Sequence, residues 1–179
     1  MKNTVNAFDY ANEICQAMPK GILMTTKNGD FVNTMVIGWG HIGIEWGRPI
    51  FVAYVRESRH TKTMLENHGE FTVNVPLGEF DPNIIKICGT KSGRDLDKIK
   101  ELDLHLEESE HVSVPGIKEF PLTLECKVIY KQKQDLSAIP QDIIARYYPE
   151  IPGADFDGQS RDYHYAYYGQ IVGAYVIGD

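Results

Sequence analysis

The stretch LTLECKVIYK, residues 122–131, alternates well between apolar and polar side chains. Leu122, Leu124, Cys126, Val128 and Tyr130 share one face. A period of two belongs to a strand with one face on a core. FTVNV (71–75) repeats the pattern, with Phe71, Val73 and Val75 opposed to Thr72 and Asn74. HYAYYGQIVGAYVIG (164–178) reads as a longer final strand, and its glycines predict bulges or close backbone approach. GILMTT and FVNTMVIGW flank KNGD, where Asn28-Gly29 is the favoured pair for a type I′ turn. Residues 21–39 are therefore expected to form a hairpin. IFVAYV (50–55), a continuous apolar run between Pro49 and Arg56, predicts a strand covered on both faces.

Helical spacing is confined to short segments. Residues 5–18 place Phe8, Ala11, Ile14 and Cys15 on one face, with Pro19 as the limit. Further helices are expected at 59–68, 82–88 and 94–102, the first stopped by Gly69. Strands outnumber helices, and no βαβα repeat runs through the chain. The expected fold is mainly β: an antiparallel barrel with added helices.

The 179 residues fit one domain, 1–179, with a substantial core. Residues 132–162 hold three prolines and many acids without clean periodicity, and read as an insertion or lid with one short helix. The net charge of −7 argues against a nucleic-acid binder, which needs a basic surface. Cys15, Cys88 and Cys126 are odd in number and form no C-x-x-C pair, so a disulfide framework is not expected. The first twenty residues lack an apolar signal-like run, and no stretch reaches the roughly 20 apolar residues of a membrane span. A soluble, cytoplasmic protein is the expectation, with no membrane and no nucleic acid among its partners.

Two segments suggest anion binding. In VRESRHT, Ser58 at a helix N-cap would leave the N–H groups of Arg59, His60 and Thr61 free, with Arg56 nearby. Taken alone, a solvated helix start is the commoner reading, because serine caps are common. CGTKSGRDLDK (88–98) has Gly89 and Gly93, which permit positive φ and hence a nest of N–H groups, with Ser92 and Lys98 beside them. It lacks the order of a Walker A loop, and alone it reads as an inter-helix loop. The six histidines show no H-x-x-x-H spacing, so no metal site is expected. Cys88 reads as a buried thiol. Tyr163, Tyr165, Tyr167, Tyr168 and Tyr175 read as packing or a subunit interface.

Together, NTMVIGW, VRESRHT, GEFTVNVP, CGTKSGRDLDK and YHYAYYGQIV resemble, in this order, the flavin reductase-like FMN-binding family of the flavoredoxin type. The resemblance covers about residues 17–131 and resumes near 162. It implies a split β-barrel, a homodimer, and FMN near the subunit interface. It places the flavin edge on Thr34, Met35, Val36 and Ile37, with Trp39 as an apolar wall. It places the phosphate on Arg56, Ser58, Arg59, His60 and Thr61. Asn74 would touch the ribityl chain or ring edge. Cys88, Gly89, Ser92, Gly93 and Lys98 would close over the cofactor, and His164 matches a histidine at the start of the last strand. Gln170 departs from the acidic residue that often follows the glycine of that strand, and 132–162 has no counterpart.

The implied activity is hydride transfer from NAD(P)H to flavin N5, with no catalytic side chain required. A flavoredoxin-like electron carrier, a non-catalytic binding module and a B6-type oxidase are the alternatives. The electron acceptor and the nicotinamide preference are not legible, and no dinucleotide fingerprint is present.

Overall fold

The computed structural model describes residues 1–178. In chain order the elements are β1 (Lys2–Thr4), α1 (Ala11–Ala17), β2 (Ile22–Asn28), β3 (Phe31–Ile37), β4 (Gly40–Glu45), β5 (Arg48–Arg56), α2 (His60–Asn67) and β6 (Glu70–Val75). There follow α3 (Pro82–Thr90), α4 (Lys98–Glu101), β7 (Leu106–Glu107), β8 (Gly116–Ile117), β9 (Leu122–Lys133), α5 (Gln141–Tyr147) and β10 (His164–Ile177). The main sheet is antiparallel, in the order β3-β2-β6-β9-β10-β5-β4, with β1 on the far end of β10. It curls around a core but does not close: β3 and β4 are its two ends. The expected antiparallel barrel is thus a split one.

The alternating patterns decide the layers. Phe71, Val73 and Val75 of β6 meet Leu122, Leu124 and Cys126 of β9 inside the barrel. Thr72 and Asn74 lie on the other face, which is also fully buried. There Thr25 Oγ1 donates to Asn74 Oδ1 (2.9 Å), and Asn74 Nδ2 donates to Thr123 Oγ1 (3.1 Å). Thr34 Oγ1 lies 3.1 Å from Thr25 Oγ1 in the same network. Buried hydroxyls and amides must be paired, and this cluster pairs its own. A second apolar cluster packs Ile84 and Cys88 of α3 against Leu23, Ile117 and Phe120 outside the barrel. In β5, Phe51, Ala53 and Val55 enter the barrel core while Ile50 and Val52 pack on Ala166 opposite, so both faces are covered as expected.

Five expectations change. The helix expected at 94–102 is cut to α4, Lys98–Glu101. The hairpin forms, but Asn28 pairs with Phe31, so its loop is Gly29-Asp30. Gly29 takes φ +58° at the first loop position and Asp30 stays at negative φ, the arrangement of a type II′ turn. The first helix is shorter than 5–18 and is flanked by 3-10 turns at Ala7–Tyr10 and Met18–Lys20. It buries Ile14, whereas Phe8 and Cys15 are exposed. Tyr130 leaves the face of Val128: Tyr168 pairs with Tyr130 and Gly169 with Val128, so Ile129 is an extra residue that reverses the alternation. β1 and β4, with few long apolar runs, are strands that local pattern does not announce.

Residues 134–163 leave the sheet between β9 and β10. They form a small core of Leu136, Ile144, Tyr148 and Tyr163 around α5. The final-strand tyrosines divide accordingly: Tyr163, Tyr167 and Tyr175 are buried within the chain, and Tyr168 turns to the outer face of β5.

Candidate functional site

Helix α2 starts one residue later than a Ser58 cap requires. Arg59 is the N-cap, extended at φ −72° and ψ 137°, and makes no side-chain capping bond. The Arg59 N–H donates to Arg56 O (3.1 Å), which leaves the N–H groups of His60 and Thr61 open at the helix start. Ser58 is engaged elsewhere. Its N–H and hydroxyl both donate to the Asp162 carboxylate, at 3.0 and 2.6 Å.

The start of α2 faces the end of α3 and the loop after it across β3. Asn33, Met35, Val36, Ser58–Thr61, Cys88, Gly89, Lys91–Arg94 and Lys98 enclose a cavity of about 120 Å³. Both anion-binding segments of the sequence thus border one space. Arg94 joins them: its Nη1 donates to Ser58 O (3.0 Å), and its N–H donates to Ser92 Oγ (3.1 Å). Gly89 and Gly93 do not take positive φ, so no N–H nest forms on them. Gly89 ends inside α3 against Val36. Gly93 is needed for contact instead: a Cβ there would run into the Asn33 carboxamide. Asn33 Nδ2 in turn donates to Thr61 Oγ1 (3.2 Å), so strand, loop and helix lock together.

The electrostatics of this cavity are one-sided. Arg59, Lys91, Arg94 and Lys98 border it, and among the described residues none has a carboxylate within ion-pair distance. Lys98 is 3% exposed, and its Nζ reaches only Cys88 O, at 3.5 Å. Burial pushes the Lys98 ammonium below the usual lysine range, and Arg59 adds to that. Burial, then Arg94 and Lys98, lowers His60, whose Nδ1 is buried without a partner. A buried cation with no counter-charge is costly. Burial also pushes the Cys88 thiol up to about 11, against the opposing pull of Lys98, and so disfavours the thiolate.

Met35, Val36 and Arg59 also border a second cavity of about 160 Å³. Ile37, Gly38, Trp39, Tyr54, Arg56 and His164 complete it. β3 is an end strand, so the main-chain groups on its free side are unpaired by another strand, and its residues Met35–Ile37 border this cleft. Trp39 stands edge-to-face on Tyr147 (5.2 Å) and 4.9 Å from the His164 ring. Arg56 is structural: it donates to Asp162 O (2.6 Å) and Tyr147 O (3.0 Å). His164 is driven down to about 3 by burial, then by Arg56 and Arg59, and is neutral.

Most residues singled out in the sequence meet at this double cleft. Thr34 and Asn74 do not. Both side chains point into the buried hydroxyl-amide network on the other side of the sheet, because period two separates two faces without saying which one meets a ligand. Asn33, Gly38, Tyr54, Lys91 and Arg94 line the cleft without having been singled out. Only Lys91 and Arg94 carried a signal, as the remaining cations of CGTKSGRDLDK.

The profile of the flavin reductase like domain matches residues 16–177. The chain belongs to the flavin reductase-like domain family. An uncharacterized protein of Archaeoglobus fulgidus is 35% identical over 97 residues, 54% of this chain and 54% of that protein, so the match spans about half the relative's length. Among solved structures, the flavoredoxin of Desulfovibrio vulgaris (Miyazaki F) aligns at TM-score 0.62 and 21% identity, over 88% of this chain and 69% of that one. An FMN-binding domain of a flavin reductases-like enzyme from Shewanella baltica aligns at 0.66 and 15% identity, over 98% and 77%. The family's flavin reductase-like split barrel is the fold described above. No helix among the described residues is long and apolar enough to cross a membrane.

Proposed function

We propose that the chain is an FMN-dependent oxidoreductase that takes hydride from NAD(P)H. The observation that carries the reading is the cation cluster around buried Lys98, which has no carboxylate of its own. A dianionic phosphate supplies the missing charge and accepts the open N–H groups of His60 and Thr61. Arg59, Arg94 and Lys98 would hold it, while Ser58, spent on Asp162, would add little. The free edge of β3 at Met35–Ile37 would hold the polar rim of a flat ring, with Trp39 as wall. When bound, FMN supplies hydride and electron acceptance; the chain's part is to orient it and screen it from water. Main-chain N–H groups of β3 would stabilise negative charge that builds up on the ring edge.

The two cavities are each smaller than the roughly 300–1,000 Å³ of a typical ligand site. A second copy of the chain is therefore part of the proposal, closing the open side. The face it would use carries Ile44 (65% exposed), Trp46 (58%) and Tyr130 (42%) beside Tyr168. A second reading, an electron carrier without NAD(P)H turnover, is favoured by the likeness to a flavoredoxin.

Purified protein should be yellow and release FMN on denaturation. Anaerobic NADH or NADPH should bleach it. A yellow protein that neither nucleotide bleaches is the electron carrier; a protein that stays colourless after FMN is added refutes both readings.

A further inference from the structure

His164, the first residue of β10, lies in the second cavity with a hydrogen-bond chain behind it. Its backbone N–H donates to Gln134 Oε1 (3.3 Å). That contact orients the amide, since an NH₂ group there would face another donor. Tyr148 Oη lies 2.8 Å from the same Oε1, an atom that can only accept, so the tyrosine hydroxyl must donate to it. The tyrosine has one hydrogen. Its oxygen, 2.9 Å from His164 Nδ1, must therefore accept from that ring nitrogen. In the neutral ring the proton then sits on Nδ1 and Nε2 is bare. Nε2 has no hydrogen-bond partner among the described residues, and it is not among the buried orphan atoms, so it remains reachable from the cavity.

We propose that Gln134 and Tyr148 of the insertion hold His164 as its Nδ1–H tautomer, so that the bare Nε2 is a specificity-determining acceptor for a ligand's N–H or O–H group at the Trp39–Tyr54 end of the cleft. The ligand class is planar and neutral, with a carboxamide or a phenol at this point. The aromatic walls Trp39 and Tyr54 suit a flat molecule. Arg56 and Arg59 border the same cavity and attract a carboxylate to themselves, but a carboxylate on Nε2 sets lone pair against lone pair and is disfavoured at this atom. Gln134 and Tyr148 are positioning residues, and they give the insertion a share in what the barrel cleft admits. The inference holds whatever fills the neighbouring cation-lined cavity.

The test is nitrogen-15 NMR of the full chain, with the His164 ring assigned by its loss in His164→Asn. Wild type should show a protonated Nδ1 and an unprotonated Nε2. Benzamide at millimolar concentration should move the Nε2 resonance, and benzoate should not. Tyr148→Phe keeps the ring packed but removes the acceptor for Nδ1–H; Nε2 should then carry a proton in part of the molecules. Benzamide affinity should fall about five-fold there, the worth of one neutral hydrogen bond. Gln134→Glu, which keeps an acceptor oxygen, should retain the wild-type tautomer. Gln134→Leu should lose it and serves equally if Tyr148→Phe does not fold. A protonated Nε2 in wild type, no response to benzamide, an equal response to benzoate, or a wild-type spectrum in both Tyr148→Phe and Gln134→Leu would overturn the proposal.

Discussion

The Asp162 carboxylate takes both donors of Ser58, the N–H at 3.0 Å and the hydroxyl at 2.6 Å. The contact ties the end of the insertion to the corner where β5 leads into α2. Arg56 ties the same junction through the carbonyls of Tyr147 and Asp162. Asp162→Ala should therefore loosen the insertion without loosening the barrel. Limited proteolysis should cut within 134–162 faster, while global stability falls by about 1 kcal/mol or less, as for other partly exposed polar contacts. An unchanged cleavage rate would show that the insertion is held by its own apolar core alone.

Lys98 is expected to trade stability against cofactor binding. Its folded pKa is lowered, so the unfolded chain binds the proton more tightly. Stability then rises with pH as pH approaches the ordinary lysine range, and at neutral pH the buried ammonium is a burden. Lys98→Met should raise the melting temperature of the ligand-free protein. The same change should weaken FMN about 10- to 150-fold, the loss of a charge-assisted contact worth roughly 1.5–3 kcal/mol. Riboflavin, which lacks the phosphate, should bind unchanged. Equal losses for both flavins would move the phosphate away from Lys98.

His164 makes the protein sensitive to acid. Its folded pKa is about 3, against an ordinary value of 6.5, because burial, Arg56 and Arg59 all oppose the proton. A depressed histidine contributes stability that is complete above pH 6.5 and is lost progressively as pH falls toward 3, where the unfolded chain alone holds the proton. The loss should reach a few kcal/mol. His60, lowered for similar reasons, acts in the same direction. Denaturant midpoints between pH 7 and 4 should fall more steeply in wild type than in His164→Asn. Parallel slopes would mean that the ring is not buried neutral.

The outer face of β4 and β5 should hold a second copy. Trp46 stands 5.9 Å from Tyr130 and 6.3 Å from Tyr168, an aromatic group on an otherwise acidic chain. Such an exposed apolar patch marks an association surface. Sedimentation of wild type at micromolar concentration should show a dimer, and Trp46→Asp combined with Ile44→Asp should give a folded monomer with weaker FMN binding. A monomeric wild type would leave the cleft to one chain.

Much of the fold is local, and that part was legible in the sequence. Alternation in 71–75 and 122–128 specifies strands and their core face, because side chains on a pleated strand point alternately to opposite sides. The Asn-Gly-Asp cluster specifies the β2–β3 hairpin, although its frame is one residue later than the Asn-Gly pair suggests. Serine, arginine, threonine and lysine in two short segments were enough to mark both walls of the cavity, and the order of five stretches along the chain marked the family. What the tertiary structure decided are relations between residues far apart in the chain. Asn74 turns away from the cleft because Thr25 and Thr123, from the strands on either side, satisfy it, and a period of two has no means of naming the layer beyond each face. Tyr130 changes face because one unpaired residue, Ile129, resets the register against Gly169. Gly93 is a glycine for the sake of Asn33, not for its own φ. Ser58 is claimed by Asp162 and His164 is oriented by Gln134 and Tyr148, across separations that no local propensity encodes. A hydrogen bond or a steric contact depends on where two chain segments meet in space, and only the curled sheet brings those segments together.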